Sequence, residues 1–401
     1  MLTLEEQERL TQTGPGTPMG NLLRRYWHPI TTTAKLEQDP VQPVRLLSED
    51  LTLYRDAAGK LGLIGDRCAH RAISLAYGIP QENGLRCAYH GWTYNEQGQV
   101  VDMPFEPACL PLRIKAYPVQ ELGSLIFAYL GPEPAPLLPR WDLLVMEDWN
   151  KVITPTMLPC NWLQCMDNSF DPAHFEHLHG VYGNYVMKKL GMPPMLNPAR
   201  HLELDFEVFE YGVYKRRLLE GDAKDSPDWT IGHPVLFPNI LAQGNDERMS
   251  FQFRVPVDDT HTHDVIVDAT RAKPGEPAQP PVFRDDPLAY DDAGRVIATY
   301  INRQDEMAWV AQGPITDRTI EHLTTSDKGI LLYRKLLLEN IEKVARGEDP
   351  LGIVRDPGVN EPMIRIRRGS KYAAFRKGVE EENWGGFDRK LNPELTWALK
   401  G

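Results

Sequence analysis

Two short stretches carry side chains able to hold a metal centre between them: Cys68-Ala69-His70 and, after sixteen intervening residues, Cys87-Ala88-Tyr89-His90. Two thiolates and two imidazoles suit either a zinc ion or a [2Fe-2S] cluster with cysteines on one iron and histidines on the other. The spacing separates these. A zinc finger keeps its cysteines in one knuckle and its histidines together on a helix, whereas each loop here supplies one of each. That mixed arrangement is what a cluster needs when one loop must reach both irons. Neutral imidazoles in place of two thiolates remove negative charge and raise the potential, so such a cluster accepts electrons readily. A Cys68–Cys87 disulfide is disfavoured because nothing in the chain reads as secreted.

A second constellation follows in Asp171-Pro172-Ala173-His174-Phe175-Glu176-His177-Leu178-His179-Gly180. An iron that activates O2 takes two neutral imidazoles and one carboxylate on one face, leaving positions open. His174 and His179 are the first two candidates. Five residues along a regular helix turn a side chain by about 140°, so both can face one ion only if the helix ends between them, with Gly180 as the stop. His177 competes, because a spacing of three is also good metal geometry on a continuous helix. Cys109, Cys160 and Cys165 lack metal spacing and read as buried free thiols.

Together the two motifs resemble those of the Rieske non-haem iron ring-hydroxylating oxygenases, in particular the terminal oxygenase (alpha) component of the phthalate-dioxygenase-like branch. The likeness runs from Gly14-Pro15-Gly16-Thr17-Pro18-Met19-Gly20 to the helix ending at Gly347. It implies a [2Fe-2S] Rieske cluster with Cys68 and Cys87 on one iron and His70 and His90 on the other. It further implies a mononuclear Fe(II) on His174, His179 and an aspartate of a late helix, matched by Asp305, with Glu306, Asp317 and Asp327 as rivals. Asn168 would sit near that iron. The family forms rings, usually trimers or dimers of trimers, in which one subunit's cluster abuts its neighbour's iron. Asp171 then becomes the connecting residue, able to accept an N–H from His174 and from a cluster histidine of the next chain. The alternative is that Asp171, just before Pro172, merely shapes a helix start.

The resemblance implies O2-dependent hydroxylation or cis-dihydroxylation of an aromatic acid, or O-demethylation of a methoxylated one through an unstable hemiacetal. Electrons would come from NAD(P)H through a separate reductase of flavin and ferredoxin type. No Gly-rich dinucleotide fingerprint follows a strand, in keeping with a separate partner. A plain electron carrier would not need the residues beyond 136, and a protein with a structural zinc in the second motif is the third reading. An aromatic acid calls for a cation; Arg200, Arg216, Arg217 and Arg248 are available. Pocket walls are sought in Val181–Met187 and His233–Ile240.

The elements that must position these groups read as α+β. The length of 401 residues predicts two domains, a cluster-bearing antiparallel β domain over 25–136 and a catalytic domain over 137–401, preceded by an N-terminal helix and loop over 1–24. For the catalytic domain, the resemblance implies a helix-grip-like α+β fold with a curved antiparallel sheet. Thr3 and Glu6 form a capping box opening a helix over about 4–12. Leu51–Tyr54 and Leu61–Ile64 flank a turn, as Trp92–Tyr94 precedes another at Asn95–Gly98. Ser124–Leu130 reads as the last strand before the proline-rich linker Gly131–Pro136. Helices are predicted over 165–178, 296–312 and 327–346, the last with Leu332, Leu336, Ile341 and Val344 facing the core. Leu202, Leu204, Phe206 and Val208 alternate with acids and predict a strand with one buried face. Trp384 and Trp397 are possible anchors of the tail. A net charge of -12 argues against a nucleic-acid partner. A mean hydropathy of -0.41, without an apolar run near eighteen residues, argues against a membrane span. The start lacks a signal-peptide pattern, so the expected compartment is the cytoplasm.

Overall fold

A computed structural model describes residues 2–194 and 199–369; Trp384 and Trp397 lie outside the described residues. The capping box forms as expected: Thr3 and Glu6 bond reciprocally and the helix runs Leu4–Thr11.

Three small antiparallel sheets follow. The first pairs Trp27–Thr32 with Leu125–Tyr129, which in turn pairs with Val119–Leu122. The second orders Val41–Leu46, Glu49–Arg55, Leu61–Gly65 and Ala116–Tyr117. The third, built from Ile79–Gln81, Gly84–Arg86, Thr93–Tyr94 and Val100–Asp102, carries the cysteine and histidine loops. The turn after Tyr94 closes on the Asn95 carboxamide, which accepts from the Gln97 and Gln99 amides, with Gly98 at φ 76. One hairpin carried no sequence signal: Leu47 and Ser48 both take positive φ, 48 and 62, although neither is Gly, Asn or Asp. Tertiary bonds hold them there, since their amides donate to the Pro256 and Val257 carbonyls at 3.1 and 2.9 Å.

The second part is an eight-stranded sheet in the order His201–Phe209, Gly212–Leu219, His233–Leu236, Ile240–Gly244, Arg248–Asp258, His261–Arg271, Trp149–Leu158, Val282–Phe283. Its pairs are antiparallel apart from the last, which is parallel. The expectation of one buried face over 202–208 holds only in part, because His201–Phe209 is an edge strand: Leu202 is 53 % and Val208 45 % exposed. Helices Trp162–Ser169, Ile301–Val310 and Lys328–Ala345 accompany the sheet. The predicted helix over 296–312 begins only at Ile301, because Tyr300 is extended and Val296 bridges to Tyr290. The last helix stops as predicted at Gly347, whose φ of 79 suits glycine. Leu336 and Ile341 are buried on it, but Tyr333 and Leu337 are the residues fully enclosed; Leu332 and Val344 are half-buried.

The two parts share a core. One continuous apolar cluster runs from Leu10 and Leu22 through Leu53 and Phe127 to Phe251, Tyr333 and Ile366, so the first three sheets are not wholly separate from the large one. The cluster-bearing sheet packs on a satellite core, formed by Tyr54, Ile64, Leu75, Leu85, Tyr94 and neighbours around Cys68 and Cys87. From the helix Trp162–Ser169, the Asp167 carboxylate accepts from Arg318 and Arg334 at 2.9 and 2.8 Å. Burial alone would raise its pKa; the two guanidiniums bring it net below the usual carboxylate range. That ionic lock ties the helix carrying Asn168 to the last long helix.

Candidate metal centres

The two cysteine and histidine loops close alike. The Cys68 carbonyl accepts from the Ala72 amide at 2.9 Å, and the Cys87 carbonyl from the Gly91 amide at 3.0 Å. Gly91 is required there: its φ is 76, and a Cβ would meet the Arg86 guanidinium at 2.8 Å. Both thiols are buried, His70 is exposed and His90 half-exposed. The imidazoles face each other with centroids 4.5 Å apart, Trp92 stacks on His70 at 4.8 Å, and Tyr89 lies 3.8 Å from His90. Desolvation, then His70 and Arg71, keep His90 below the ordinary imidazole value, favouring the neutral ring that a metal needs. The Tyr94 hydroxyl sits 3.1 Å from Cys68 Sγ and accepts from the Ala69 amide at 2.9 Å. A donor aimed at a cluster sulfur stabilises the reduced state, so Tyr94 is a tuning group that spacing could not reveal. Two enclosed sulfurs with two outward imidazoles fit a [2Fe-2S] cluster. Because the surrounding core is a satellite, Cys68→Ser is expected to abolish the visible absorption and the reduced-state paramagnetic signal while the large sheet stays folded. An unchanged spectrum refutes the assignment.

The second centre is assembled from two elements. After Ser169 the chain breaks at Phe170-Asp171-Pro172, where proline disfavours helix in the residue before it. It does not resume as the regular helix predicted over 165–178. Phe175–Tyr182 winds as a π-helix, and Gly180 is buried inside it rather than ending it; the chain continues into Gly183–Lys189. Bonds that span five residues bring residue 179 over residue 174, so both rings reach one point without a helix stop. From the helix Ile301–Val310, Asp305 Oδ1 lies 3.2 Å from His179 Nε2 and 3.5 Å from His174 Nε2. One ligand atom from each of the three falls within 4.8 Å of the others. His177 points away, 72 % exposed. The rival acids are engaged elsewhere: Glu306 with Arg303, Asp317 with Thr319, and Asp327 in the capping of Thr324.

The back of the His179 ring is held as that of a metal-bound histidine is. Gln304 Oε1 lies 2.9 Å from His179 Nδ1, which fixes Nε2 toward Asp305; sequence reasoning missed this residue, although it adjoins the aspartate. Asp171 Oδ2 stands 3.6 Å from His174 Nδ1, long for a hydrogen bond, while Oδ1 accepts from the Ala173 amide at 2.8 Å. Asp171 therefore shapes the helix start and also adjoins the histidine. Burial raises the Asp305 carboxyl, but His179 and then His174 bring it net below the usual range, so it is an anion ready for a cation. Asn168 Nδ2 donates to Asp305 at 3.3 Å. Two imidazoles and one carboxylate on one face, with His174 Nδ1 buried and without a hydrogen bond among the described residues, fit a mononuclear iron with open positions. Gln304→Leu is expected to weaken iron retention by about 10- to 100-fold without touching the cluster, read as iron per chain after mild chelation.

A cavity opens over this group, lined by the apolar side chains of Pro172, Phe175, Leu241 and Ile301 and by the polar ones of Lys215, Arg217, His233, Gln243 and Gln252. Lys215 and Arg217 share a face of the strand Gly212–Leu219 by its two-residue period. Of the four arginines considered, only Arg217 lines it; Arg216 points to the opposite face, to Asp205 and Glu207. From the two stretches expected to form walls, His233 does so. Val181, Tyr182 and Tyr185 are exposed instead, and Val235 and Leu236 belong to the core. Cys160 and Cys165 are buried as expected, 3.8 Å apart at sulfur, but Cys109 is exposed on an irregular loop.

Residues 26–118 match the Rieske [2Fe-2S] domain family, and residues 291–385 match the "LigXa C-terminal domain like" family. The 5,5'-dehydrodivanillate O-demethylase oxygenase subunit of Sphingobium sp. strain SYK-6 is 42 % identical over 96 % of this chain and 91 % of its own. The phenoxybenzoate dioxygenase subunit alpha of Ectopseudomonas oleovorans is 33 % identical over 92 % of both chains. Among solved structures, Pseudomonas putida CBB5 NdmA with caffeine superposes with a TM-score of 0.61 at 21 % identity, over 82 % of this chain and 94 % of that one, a likeness of fold. The chain belongs to the Rieske non-haem iron oxygenases. It is an oxygenase subunit of that family, with a [2Fe-2S] cluster and a mononuclear iron as its cofactors.

Proposed function

We propose that this subunit demethylates a methoxylated aromatic acid, with Cys68, Cys87, His70 and His90 holding the cluster and His174, His179 and Asp305 the iron. The observation that carries this reading is a cavity in which those three residues share walls with the buried cations Lys215 and Arg217, a surface suited to an acidic ring. The relative named as an O-demethylase supports the choice of reaction. In overall balance an aryl methyl ether, O2, two electrons and two protons give a phenol, formaldehyde and water; the hydroxylated methyl group forms a hemiacetal that collapses with cleavage of its C–O bond.

When bound, the mononuclear iron supplies O2 activation at its open positions and the cluster supplies an outside electron. The chain does the rest. Pro172, Phe175, Leu241 and Ile301 bury the ring faces and exclude water, while the cationic side orients the acid so that the methoxy group lies toward His174, His179 and Asp305. Asn168 holds the Asp305 carboxylate in register. Electrons come from NAD(P)H through a separate reductase of flavin and ferredoxin type; solved complexes of the carbazole 1,9a-dioxygenase oxygenase with a ferredoxin support a protein electron donor. We assign residues 25–136 to the cluster domain and 137–401 to the catalytic domain, working in the cytoplasm as a trimer or dimer of trimers.

Ring hydroxylation or cis-dihydroxylation of an aromatic acid is the second reading, favoured by the phenoxybenzoate dioxygenase relative. A panel of methoxylated acids, unsubstituted aromatic acids and neutral arenes with a surrogate reductase separates the two. Formaldehyde in step with O2 uptake supports demethylation, a diol with the methoxy group intact supports the second, and coupling to neutral arenes alone refutes both.

A further inference from the structure

Besides the candidate iron ligands, the cavity wall holds three groups that could carry positive charge, and they are not equivalent. Arg217 Nε lies 3.2 Å from Asp228 Oδ1, and His233 Nε2 lies 2.8 Å from the same oxygen of this fully buried acid. Burial pulls the His233 imidazole down to about 4, so it is neutral. Arg217 thus brings its own counter-charge. Lys215 does not. It is 8 % exposed, stands opposite His233 in the paired strands, and its Nζ has one hydrogen-bond partner among the described residues, the Ser169 carbonyl at 2.7 Å. An ammonium has three N–H donors, and two remain for the cavity it lines. Burying a charge without a paired acid is costly, and proteins keep such a group where a ligand completes the pair.

We infer that Lys215 is the specificity residue that receives an anionic oxygen of the aromatic substrate, a carboxylate or a phenolate, and that Arg217 forms the neutralised wall beside it. This rests on the acidic-aromatic reading above and narrows it to one contact. The groups around the ammonium act in both directions: burial and then Arg217 draw it down to about 8, while Asp171 and Asp305 work to raise it. An anion seated on Nζ joins the Ser169 carbonyl, which belongs to the helix carrying Asn168, so the acid end of the ring is fixed relative to the iron-facing residues.

The test uses the full oxygenase with cluster and iron loaded, and calorimetric binding of three probes: meta-methoxybenzoate, ortho-methoxyphenol and the neutral methyl ester of the first. Lys215→Met is expected to weaken one or both of the acidic probes roughly 10- to 100-fold while changing the ester less than about threefold. Lys215→Arg, which keeps the charge, is expected to recover most of the loss. Loss on the benzoate alone identifies a carboxylate as the anchored group, and loss on the phenol alone a phenolate. Equal loss on acid and ester, or none on any probe, overturns the inference. In the native protein, an acid bound no better than its ester also overturns it, without relying on any variant. Binding is read apart from turnover: a native enzyme that binds the acids yet releases no formaldehyde refutes demethylation and leaves the Lys215 contact standing.

Discussion

Asp171→Asn is expected to load with cluster and iron and yet turn over at least about a hundredfold more slowly than the native chain. The carboxylate adjoins the back of His174, 3.6 Å from Nδ1, and remains 24 % exposed. Burial would raise its pKa, but the His174 ring and the Ala173 amide keep it net below the usual carboxylate range, so it is an anion throughout the working pH range. On the other module, His70 is exposed and His90 half-exposed. A partly exposed carboxylate behind one metal histidine and imidazoles open to solvent in whole or part at the other centre are complementary, and a ring of subunits would let Asp171 accept N–H from both. Asparagine keeps the size and the acceptor oxygen that caps the Ala173 amide. It loses the charge that draws two imidazoles together. Rapid mixing of reduced protein with substrate and O2 reads the step directly. Cluster oxidation at the native rate, or full activity in a monomer, rules the bridge out.

Asp305→Ala carries the second large effect: loss of the mononuclear iron and of turnover, with the cluster spectrum intact. The two imidazoles left behind are neutral, and the carboxylate is the only charge that the three candidate ligands offer a divalent ion. Neighbouring acids offer no substitute. Burial pushes Glu306 up to about 8 and its partner is Arg303, while Asp317 and Asp327 bond to Thr319 and Thr324. Iron analysis together with the reduced-cluster signal checks the result, and retention of both the third iron and activity moves the role to another acid.

Much of the site was legible because metal chemistry demands particular residue types at particular spacings. Cys68, His70, Cys87 and His90 stand out in any window, as do His174 and His179. Asp305 does not: in an acidic chain it came only from family resemblance, and geometry then singles it out by bringing its oxygen to both Nε2 atoms. The π-winding of Phe175–Tyr182 has no sequence rule behind it; reasoning from regular helix geometry forced a stop at Gly180 that the widened turns make unnecessary. Gln304 and Tyr94 escaped notice since a lone amide or phenol has no spacing to betray it. Lys215 has no spacing that sets it apart from other lysines, and only its burial on the cavity wall distinguishes it. In the fold, capping and turn chemistry placed the local elements well. The Leu47-Ser48 turn and the shared core were invisible, because both depend on contacts with Pro256, Val257 and residues still farther along the chain.

The most direct test of the whole account is a single turnover of the oxygenase alone. The chain, with its cluster reduced and its mononuclear iron ferrous, is mixed with O2 and a methoxylated aromatic acid in the absence of any reductase. Formaldehyde and the demethylated phenol are expected to appear in step with loss of the reduced-cluster signal. Cluster oxidation that leaves the methoxy group intact, or formaldehyde released equally well by protein lacking the mononuclear iron, would contradict it.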